Sequence, residues 1–343
     1  MTLDEAVALS LMSNLSRVGL SDRLRAGDPV LLERARALRD RARLERTSAE
    51  SKGIHVLPWH DPRFPAALLA ISDMPPLLWY RGDLDAFCTP AVAIVGSRAA
   101  SAVALEIAAR LGSDLAARGI TVISGLARGV DSSAHRGALR SGRTVAVLGS
   151  GVDRIYPREH EGLAGEIART GLVVSEYPPG TPPLAFHFPM RNRLISGLSS
   201  AVVVVEANHK SGSLITASCA LEQGRDVMAV PGNVLSGRSR GAHALIRDGA
   251  KIVECVDDIV EELGWPGGGQ SPGGDTASGS TESTSGDPLL KVMHAGQAYD
   301  LDELAQVSGV DGVRLLPRLL DLELRELVRR VEGGRFMRQT RTC

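Results

Sequence analysis

Residues 91–96 read AVAIVG, and two further apolar runs of the same kind follow, ITVISG at 120–125 and TVAVLG at 144–149. The stretches between them, 102–118 and 132–140, carry helical patterns. Short and almost continuously apolar strands that alternate with helices are typical of a parallel sheet covered on both faces. The three runs therefore predict a doubly wound α/β domain.

The same alternation continues to about residue 264. Further apolar runs occur at 172–176, 201–206, 226–230 and 251–254, and a helical pattern covers 213–223. We therefore predict a core domain over residues 84–265, built on a mostly parallel sheet.

Two smaller regions precede this core. Apolar residues at helical spacing, with arginine-rich opposite faces, predict a small helical domain over residues 1–58. Residues 59–83 contain prolines at 62, 65, 75 and 76, directly after Pro58. Because proline breaks regular structure, we expect this segment to be a connector packed on the core.

After the core, residues 266–287 consist mainly of Gly, Ser, Thr and Pro and contain no large apolar residue. Such a segment cannot contribute to a core, which predicts a flexible linker. Residues 288–343 show helical patterns followed by a glycine pair between basic and apolar residues. Helices that precede a hairpin predict a C-terminal winged-helix domain.

Composition narrows the class of protein. The net charge of -1 gives no general attraction to polyanions, so a nucleic-acid surface has to be a local cluster of basic residues. Four cysteines without a C-x-x-C pair argue against a zinc site and a disulfide framework. Asp4 and Glu5 precede any basic residue, and no apolar run is long enough to cross a bilayer. We predict a cytoplasmic protein without a metal site or a membrane segment.

Polar and basic residues follow four of the predicted strands, at the edge where doubly wound sheets bind ligands. The first loop is Gly96-Ser97-Arg98, in which glycine permits close backbone approach and arginine offers a charged fork for phosphate. The second, 124–135, places Arg128 between Gly125 and Gly129 before a helix, which is typical of an anion site. We interpret Asp131 as structural and Arg128 as functional.

The third loop, 186–199, places Arg191, Asn192 and Arg193 after Phe186 and Phe188. Paired arginines beside aromatic rings can bind phosphates and stack one base, whereas the alternative is that both phenylalanines fill the core.

The fourth loop contains Lys210, Ser211, Gly212 and Ser213 before a helix, which suits a phosphate. It is neither a P-loop nor a dinucleotide fingerprint, so nothing supports hydrolysis of nucleoside triphosphates.

Seven segments together resemble, in this order, the serial motifs of the DNA-processing protein A (DprA, also called Smf) family. They are VAIVGSR (92–98), SGLARGVDSSAHRGAL (124–139), AVLGSGVDRIYP (146–157), SEYPPG (175–180), FPMRNRLISGLS (188–199), VVVVEANHKSGSLITASCALEQGRDVMAVPGN (202–233) and GAHALIRDGA (241–250). The resemblance covers about residues 59–259. Several long motifs in a fixed order are far more specific than any single one.

The resemblance implies an extended Rossmann-like core, a sterile-alpha-motif-like N-terminal domain, and a protein without catalytic activity or cofactor. It implies a homodimer, formed through a segment like 241–250, that binds and protects incoming single-stranded DNA and loads the RecA recombinase in natural transformation and recombination. The DNA-binding positions that the family's motifs imply are Arg98, Phe188, Arg191, Arg193 and Lys210, with Ser97, Ser124, Gly125, Arg128, Asn192, Ser211, Gly212 and Ser213 lining the same loops.

Two alternatives from other classes remain open. The first is a nucleotide-binding or nucleotide-hydrolysing enzyme of the lysine-decarboxylase-like Rossmann superfamily, which would need a P-G-G-x-G-T loop and a catalytic glutamate. Here Pro231-Gly232-Asn233 breaks that motif, and Glu206 is predicted to order a loop or receive an arginine. The second is a regulator that binds double-stranded DNA through the winged helix alone. This alternative assigns no function to the polar loops of the core.

Four histidines raise the question of acid-base chemistry, because histidine titrates near neutral pH. None of His135, His187, His209 and His243 has a nucleophile or carboxylate partner visible in the sequence. We expect them to form hydrogen bonds, pack, or face phosphate.

Overall fold

The structure, a computed structural model, describes residues 1–12, 19–265, 289, 293, 298–308, 312–324, 327–331 and 335–338. The chain divides into two compact units, Met1–Ser271 and Pro272–Cys343. The predicted linker at 266–287 lies outside the described residues.

A nine-stranded sheet forms the centre of the first unit, with the strand order β1-β2-β6-β5-β4-β3-β7-β8-β9. Neighbouring strands from β6 to β9 are parallel, whereas β1 and β2 are antiparallel to their neighbours. The strands are β1 (His55–Pro58), β2 (Leu77–Gly82), β3 (Ala91–Val95), β4 (Thr121–Ser124), β5 (Thr144–Val147), β6 (Leu172–Ser175), β7 (Ala201–Val204), β8 (Asp226–Ala229) and β9 (Lys251–Ile252).

Helices cover both faces of this sheet, and the strand residues alternate between two apolar clusters. In β3, Val92 and Ile94 pack in one cluster, while Ala93 and Val95 pack in the other. This period of two, with both sets buried, is the signature of a doubly wound sheet and confirms the predicted α/β class. The helices are α5 (Ala66–Leu69), α6 (Ala102–Ala117), α7 (Val130–Ala138), α8 (Glu161–Thr170), α9 (His187–Gly197), α10 (Ser213–Glu222), α11 (Arg240–Arg247) and α12 (Val256–Glu262).

Two strands lie where the sequence predicted none. The expectation that residues 59–83 form a connector without regular structure is wrong for β2, which pairs with β6 in the register Trp79 to Ser175 and buries Trp79 completely. Prolines 75 and 76 precede this strand, and Pro58 ends β1 at the edge of the sheet. Proline is compatible with such positions because no ladder N–H is needed there.

Among the residues described before the sheet, four helices occur: α1 (Leu3–Ser10), α2 (Leu20–Arg25), α3 (Pro29–Ala37) and α4 (Arg39–Glu50). A capping box between Thr2 and Glu5 fixes the start of α1, whose apolar residues are buried against the core. The resemblance of this region to a sterile-alpha-motif domain stays a prediction, as do the exact domain boundaries.

The second unit contains the helices α13 (Leu301–Ser308) and α14 (Gly312–Leu324) and the strands β10 (Ala298–Tyr299), β11 (Val328–Val331) and β12 (Arg335–Arg338). The strands form an antiparallel sheet in the order β10-β12-β11. Leu304, Leu315, Leu319 and Phe336 belong to its own apolar cluster. Its assignment as a winged helix stays a prediction.

Candidate functional site

A cavity of about 380 Å³ lies at the carboxyl edge of the sheet. It lies where β3 and β7 end side by side, and the chain leaves the two strands towards different neighbours. This is the topological switch point at which doubly wound sheets bind ligands. All four of the predicted loops contribute to its lining, through residues within 96–98, 127–131, 188–192 and 208–213.

Tight backbone contacts hold the loop after β3 in place. The Ser97 amide donates to the Glu206 carbonyl at 2.6 Å, and the Ser97 carbonyl accepts from the Val130 amide at 3.2 Å. Gly129 has a φ of 77°, and a Cβ atom at this position would lie 2.2 Å from the Ser97 carbonyl oxygen. Only glycine lets the second loop approach the first so closely.

Arg98 and Phe188 lie together on the cavity wall. The Arg98 guanidinium is exposed and lies 5.5 Å from the centroid of the half-buried Phe188 ring. The centroid of this ring also lies 5.4 Å from that of the Tyr156 ring, and Tyr156 is 44% exposed. Phe188 therefore supports the cavity wall, while the alternative that Phe186 fills the core is wrong because that side chain is 64% exposed.

Tyr156 was missed by the sequence analysis as a candidate. It precedes Pro157 in the RIYP segment and borders a second, smaller cavity that shares Arg98 and Phe188 with the first. Tyr156 could have been recognised from the sequence, because it is an aromatic residue within a family motif and only 3% of the residues of this chain are aromatic.

Arg191 lies in the wall of the main cavity but is only 3% exposed. Its Nη1 donates to the Gly125 carbonyl at 2.9 Å and to the Val147 carbonyl. The guanidinium packs so closely on Gly125 that a Cβ atom there would lie 2.5 Å from Nη1. The prediction of Arg191 as an accessible phosphate ligand is corrected: this side chain ties the ends of β4 and β5 together.

Burial also affects the charge of Arg191. Loss of hydration lowers the pKa of this guanidinium to about 10, although the nearby Asp131 carboxylate acts to raise it. A group with this pKa keeps its positive charge at neutral pH, so Arg191 supplies a fixed cation behind the cavity wall.

Arg193 does not line either of the two cavities. It is 6% exposed, its Nε lies 2.8 Å from an Asp73 carboxylate oxygen, and its Nη2 donates to the buried Glu176 carboxylate. The prediction that it binds DNA is contradicted by this placement. Residues two apart on a helix differ by about 200° in direction, so Arg191 and Arg193 of α9 cannot both face one groove.

Two further residues of the segment 124–135 are structural: Ser124 at the end of β4 and Asp131 in the first turn of α7. Ser124 is fully buried and donates to the Ile94 carbonyl at 2.6 Å, so its predicted place in the DNA-binding surface is corrected. The Asp131 carboxylate accepts from the amides of Gly125 at 3.1 Å and Ala127 at 3.3 Å. Burial raises the pKa of Asp131, and the Arg191 charge acts to lower it. The structural role predicted for Asp131 is confirmed, as an acceptor that orders the loop.

The loop before α10 presents polar groups to the cavity. Lys210 is exposed, and its backbone amide donates to the Asn208 side chain at 2.9 Å. The Ser211 and Ser213 hydroxyls lie 2.7 Å apart, and the Asn192 amide donates to the Gly212 carbonyl at 3.3 Å. The first amides of α10 are already bonded within the loop, since Ser213 donates to the Ser211 hydroxyl at 3.4 Å and Leu214 donates to the Ser211 carbonyl at 3.1 Å. The charged group that this loop offers to an anion is therefore the Lys210 side chain.

The charges around the main cavity favour an anionic ligand. Arg98, Arg191 and Lys210 line it, whereas Asp131 is the one acidic side chain in the lining and is occupied by backbone amides. The Ser211 and Ser213 hydroxyls lie beside these cations in the lining. Such a set binds phosphate or carboxylate oxygens.

Glu206 would be the catalytic acid in the enzymatic alternative. It is 4% exposed, and its carboxylate accepts from the Ser101 amide at 3.2 Å and from the Ser101 hydroxyl at 2.7 Å. These bonds fix the loop between β3 and α6, as the sequence predicted. A carboxylate engaged in this way does not favour the enzymatic reading.

The buried histidines have structural environments. His135 contacts the Thr144 hydroxyl at 2.7 Å, and burial lowers the pKa of its ring to about 3. His187 stacks on Tyr177 with centroids 3.9 Å apart, and the His243 ring lies 3.0 Å from the Gly232 carbonyl. The expectation of packing and hydrogen bonding is confirmed for these three.

Comparison with known proteins agrees with the geometry. A family model described as DNA recombination-mediator protein A matches residues 55–264. Protein Smf of Escherichia coli (strain K12) is 40% identical over 299 residues, which cover 86% of this chain and 80% of that protein.

Two solved structures have the same fold. The X-ray structure of DNA processing protein A from Streptococcus pneumoniae superposes with a TM-score of 0.67 at 37% identity and covers 76% of this chain and 98% of the other. The second is DNA processing protein A from Helicobacter pylori, whose structure addresses a single-stranded DNA binding mode. It superposes with a TM-score of 0.56 at 30% identity and covers 61% of this chain and 95% of the other. No helix in the described part of this chain is both long and apolar enough to span a membrane.

Proposed function

Because the chain belongs to the DNA recombination-mediator protein A family, we propose that it binds single-stranded DNA at the carboxyl edge of its sheet, protects it, and delivers it to the RecA recombinase. The observation that carries this proposal is the main cavity, where Arg98 and Lys210 come from loops more than 100 residues apart and reach the same opening. An unpaired polynucleotide supplies the phosphates for these cations.

The contacts are to the backbone of the DNA. Arg98 and Lys210 hold successive phosphates, while a base stacks on the exposed ring of Tyr156, which Phe188 supports. Since phosphate contacts and stacking tolerate every base, the sequence preference is weak. The fixed charge of Arg191 raises the potential of the cavity without itself contacting the strand.

Delivery to RecA and dimerisation extend the proposal. The segment 241–250, which overlaps α11, would pair two copies of the chain, as the family resemblance implies. Two short cavities then act as one longer footprint, and avidity rises without a new type of contact. In this proposal the second unit is a winged-helix appendage, and the core carries the single-stranded DNA.

The test is the salt dependence of binding to a fluorescent oligothymidine by the full-length protein. Each phosphate contact contributes about 0.7 to the slope of log K against log salt for single strands. We expect the double variant Arg98→Ala, Lys210→Ala to lose about 1.4 from this slope.

A matched control is Arg81→Ala. Arg81 is exposed and pairs in register with Val173 near the start of β6, at the amino edge of the parallel strands and away from the cavity. We expect its slope to match the wild type. Equal slopes for the double variant and the wild type would refute the proposed cavity as the DNA site.

A further inference from the structure

Arg128 lies beside the main cavity but outside its lining. It borders the smaller cavity together with Arg98, Tyr156 and Phe188, two of which also line the main one. A strand that stacks on Phe188 and Tyr156 therefore brings its next phosphate towards Arg128. Its side chain is 58% exposed, so a ligand can reach it from solvent.

A carboxylate of the same chain occupies the Arg128 fork. Nε of Arg128 donates to one Glu159 oxygen at 2.6 Å, and Nη2 donates to the other at 2.7 Å. Two parallel N–H···O bonds of this kind are also how a guanidinium binds a phosphate group. Glu159 thus imitates the ligand for which the neighbouring cavity is built.

We propose that Arg128 is a second phosphate-binding subsite for single-stranded DNA, and that Glu159 is an internal competitor which a phosphate must displace. The proposal rests on the proposed function, because it places the subsite on the path of the same strand. Both side chains are more than half exposed, so the exchange between carboxylate and phosphate has a small cost.

Arg128 therefore contacts a phosphate only after Glu159 has been displaced. While Glu159 neutralises Arg128, this cation adds little to the capture of DNA, and the strand is held by the main cavity alone. Glu159 thereby lowers the affinity of the protein for DNA and favours its release. A protein that delivers DNA to a partner requires such release.

The experiment compares Glu159→Gln with Glu161→Gln in the full-length protein, by fluorescence anisotropy with an oligothymidine over a range of salt. Glu161 is an exposed acid two residues away, and it forms no ion pair within the described ranges. Its substitution removes the same charge and controls for general attraction of the polyanion. We expect Glu159→Gln to bind about two- to fivefold more tightly than Glu161→Gln, with a slope steeper by about 0.7.

A second pair of variants assigns the gain to Arg128. Adding Arg128→Ala to Glu159→Gln is expected to abolish the tighter binding, while Arg128→Ala in the wild-type background has a smaller effect. Equal affinities and slopes for Glu159→Gln and Glu161→Gln overturn the competitor role, and so does a gain that survives Arg128→Ala. If the wild type itself fails to bind the oligonucleotide, the proposed function fails as well, which separates the two results.

Discussion

Replacement of Arg193 by methionine is expected to destabilise the protein without weakening its electrostatic attraction to DNA. The side chain is 7% exposed between the carboxylates of Asp73 and Glu176, the latter 5% exposed. Removing one partner of a buried ion pair costs about 3–5 kcal/mol, since the remaining charge has lost its compensation in a poorly hydrated site. For a domain of this size that lowers Tm by on the order of 10 °C.

The assay combines thermal unfolding with the salt dependence of oligothymidine binding below the transition. The partner variant is Arg193→Met, Glu176→Met, because an apolar pair of similar volume is often as stable as a buried ion pair. We expect this double variant to recover much of the lost Tm. The reasoning is refuted if Arg193→Met unfolds like the wild type while its slope falls by about 0.7, the value for a lost phosphate contact.

Three other substitutions test the site and its surroundings. Gly129→Ala is expected to lower oligothymidine affinity at least tenfold, because its Cβ would lie 2.2 Å from the Ser97 carbonyl and displace the first loop. Unchanged affinity in a titration would show that binding does not need this loop contact. Tyr156→Ala should weaken binding by about 1–3 kcal/mol at constant salt slope, as expected for a lost stacking contact, and a change in slope would instead indicate a lost charge. The pKa of His135 is lowered to about 3 in the folded state, so between about pH 6.5 and 3 the unfolded state binds one more proton than the folded state. The free energy of unfolding therefore falls as the pH drops through this window, by up to about 1.4 kcal/mol per pH unit. Denaturant titrations of His135→Gln should show a shallower pH dependence than those of the wild type.

The parallel part of the sheet could be predicted from the sequence because its strands are nearly continuous apolar runs. In β7, for example, Val202 and Val204 pack on one face and Ala201 and Val203 on the other, so both faces are apolar. The strands β1 and β2 are harder to recognise, because β1 has only four residues and the apolar run of β2, residues 77–80, directly follows two prolines. Their neighbouring prolines are compatible with an edge position, which is known only once the sheet is assembled.

The candidate site was predictable where a loop follows a strand and less so within a helix. The positions of Arg98 and Lys210 follow from the rule that parallel strands end at one edge of the sheet. Arg193 follows no such rule, since its direction depends on which face of α9 packs inward. Its partner Asp73 lies 120 residues earlier in the chain, in a segment whose packing no local pattern revealed.

Arg191 and Arg193 are two positions apart in the chain but have different structural roles. Both are buried, yet Arg193 faces two carboxylates, while Arg191 donates to carbonyl groups and lies near Asp131, which already accepts two amides. The charge of Arg193 is therefore compensated by two carboxylates, whereas the positive potential of Arg191 is opposed by the one carboxylate of Asp131 and acts on the cavity that it lines. In a poorly hydrated wall this potential is screened less than at the surface. In the proposed function, the buried Arg191 thus adds to the preference of the cavity for anions, while the exposed Arg98 and Lys210 are the residues proposed to contact the strand.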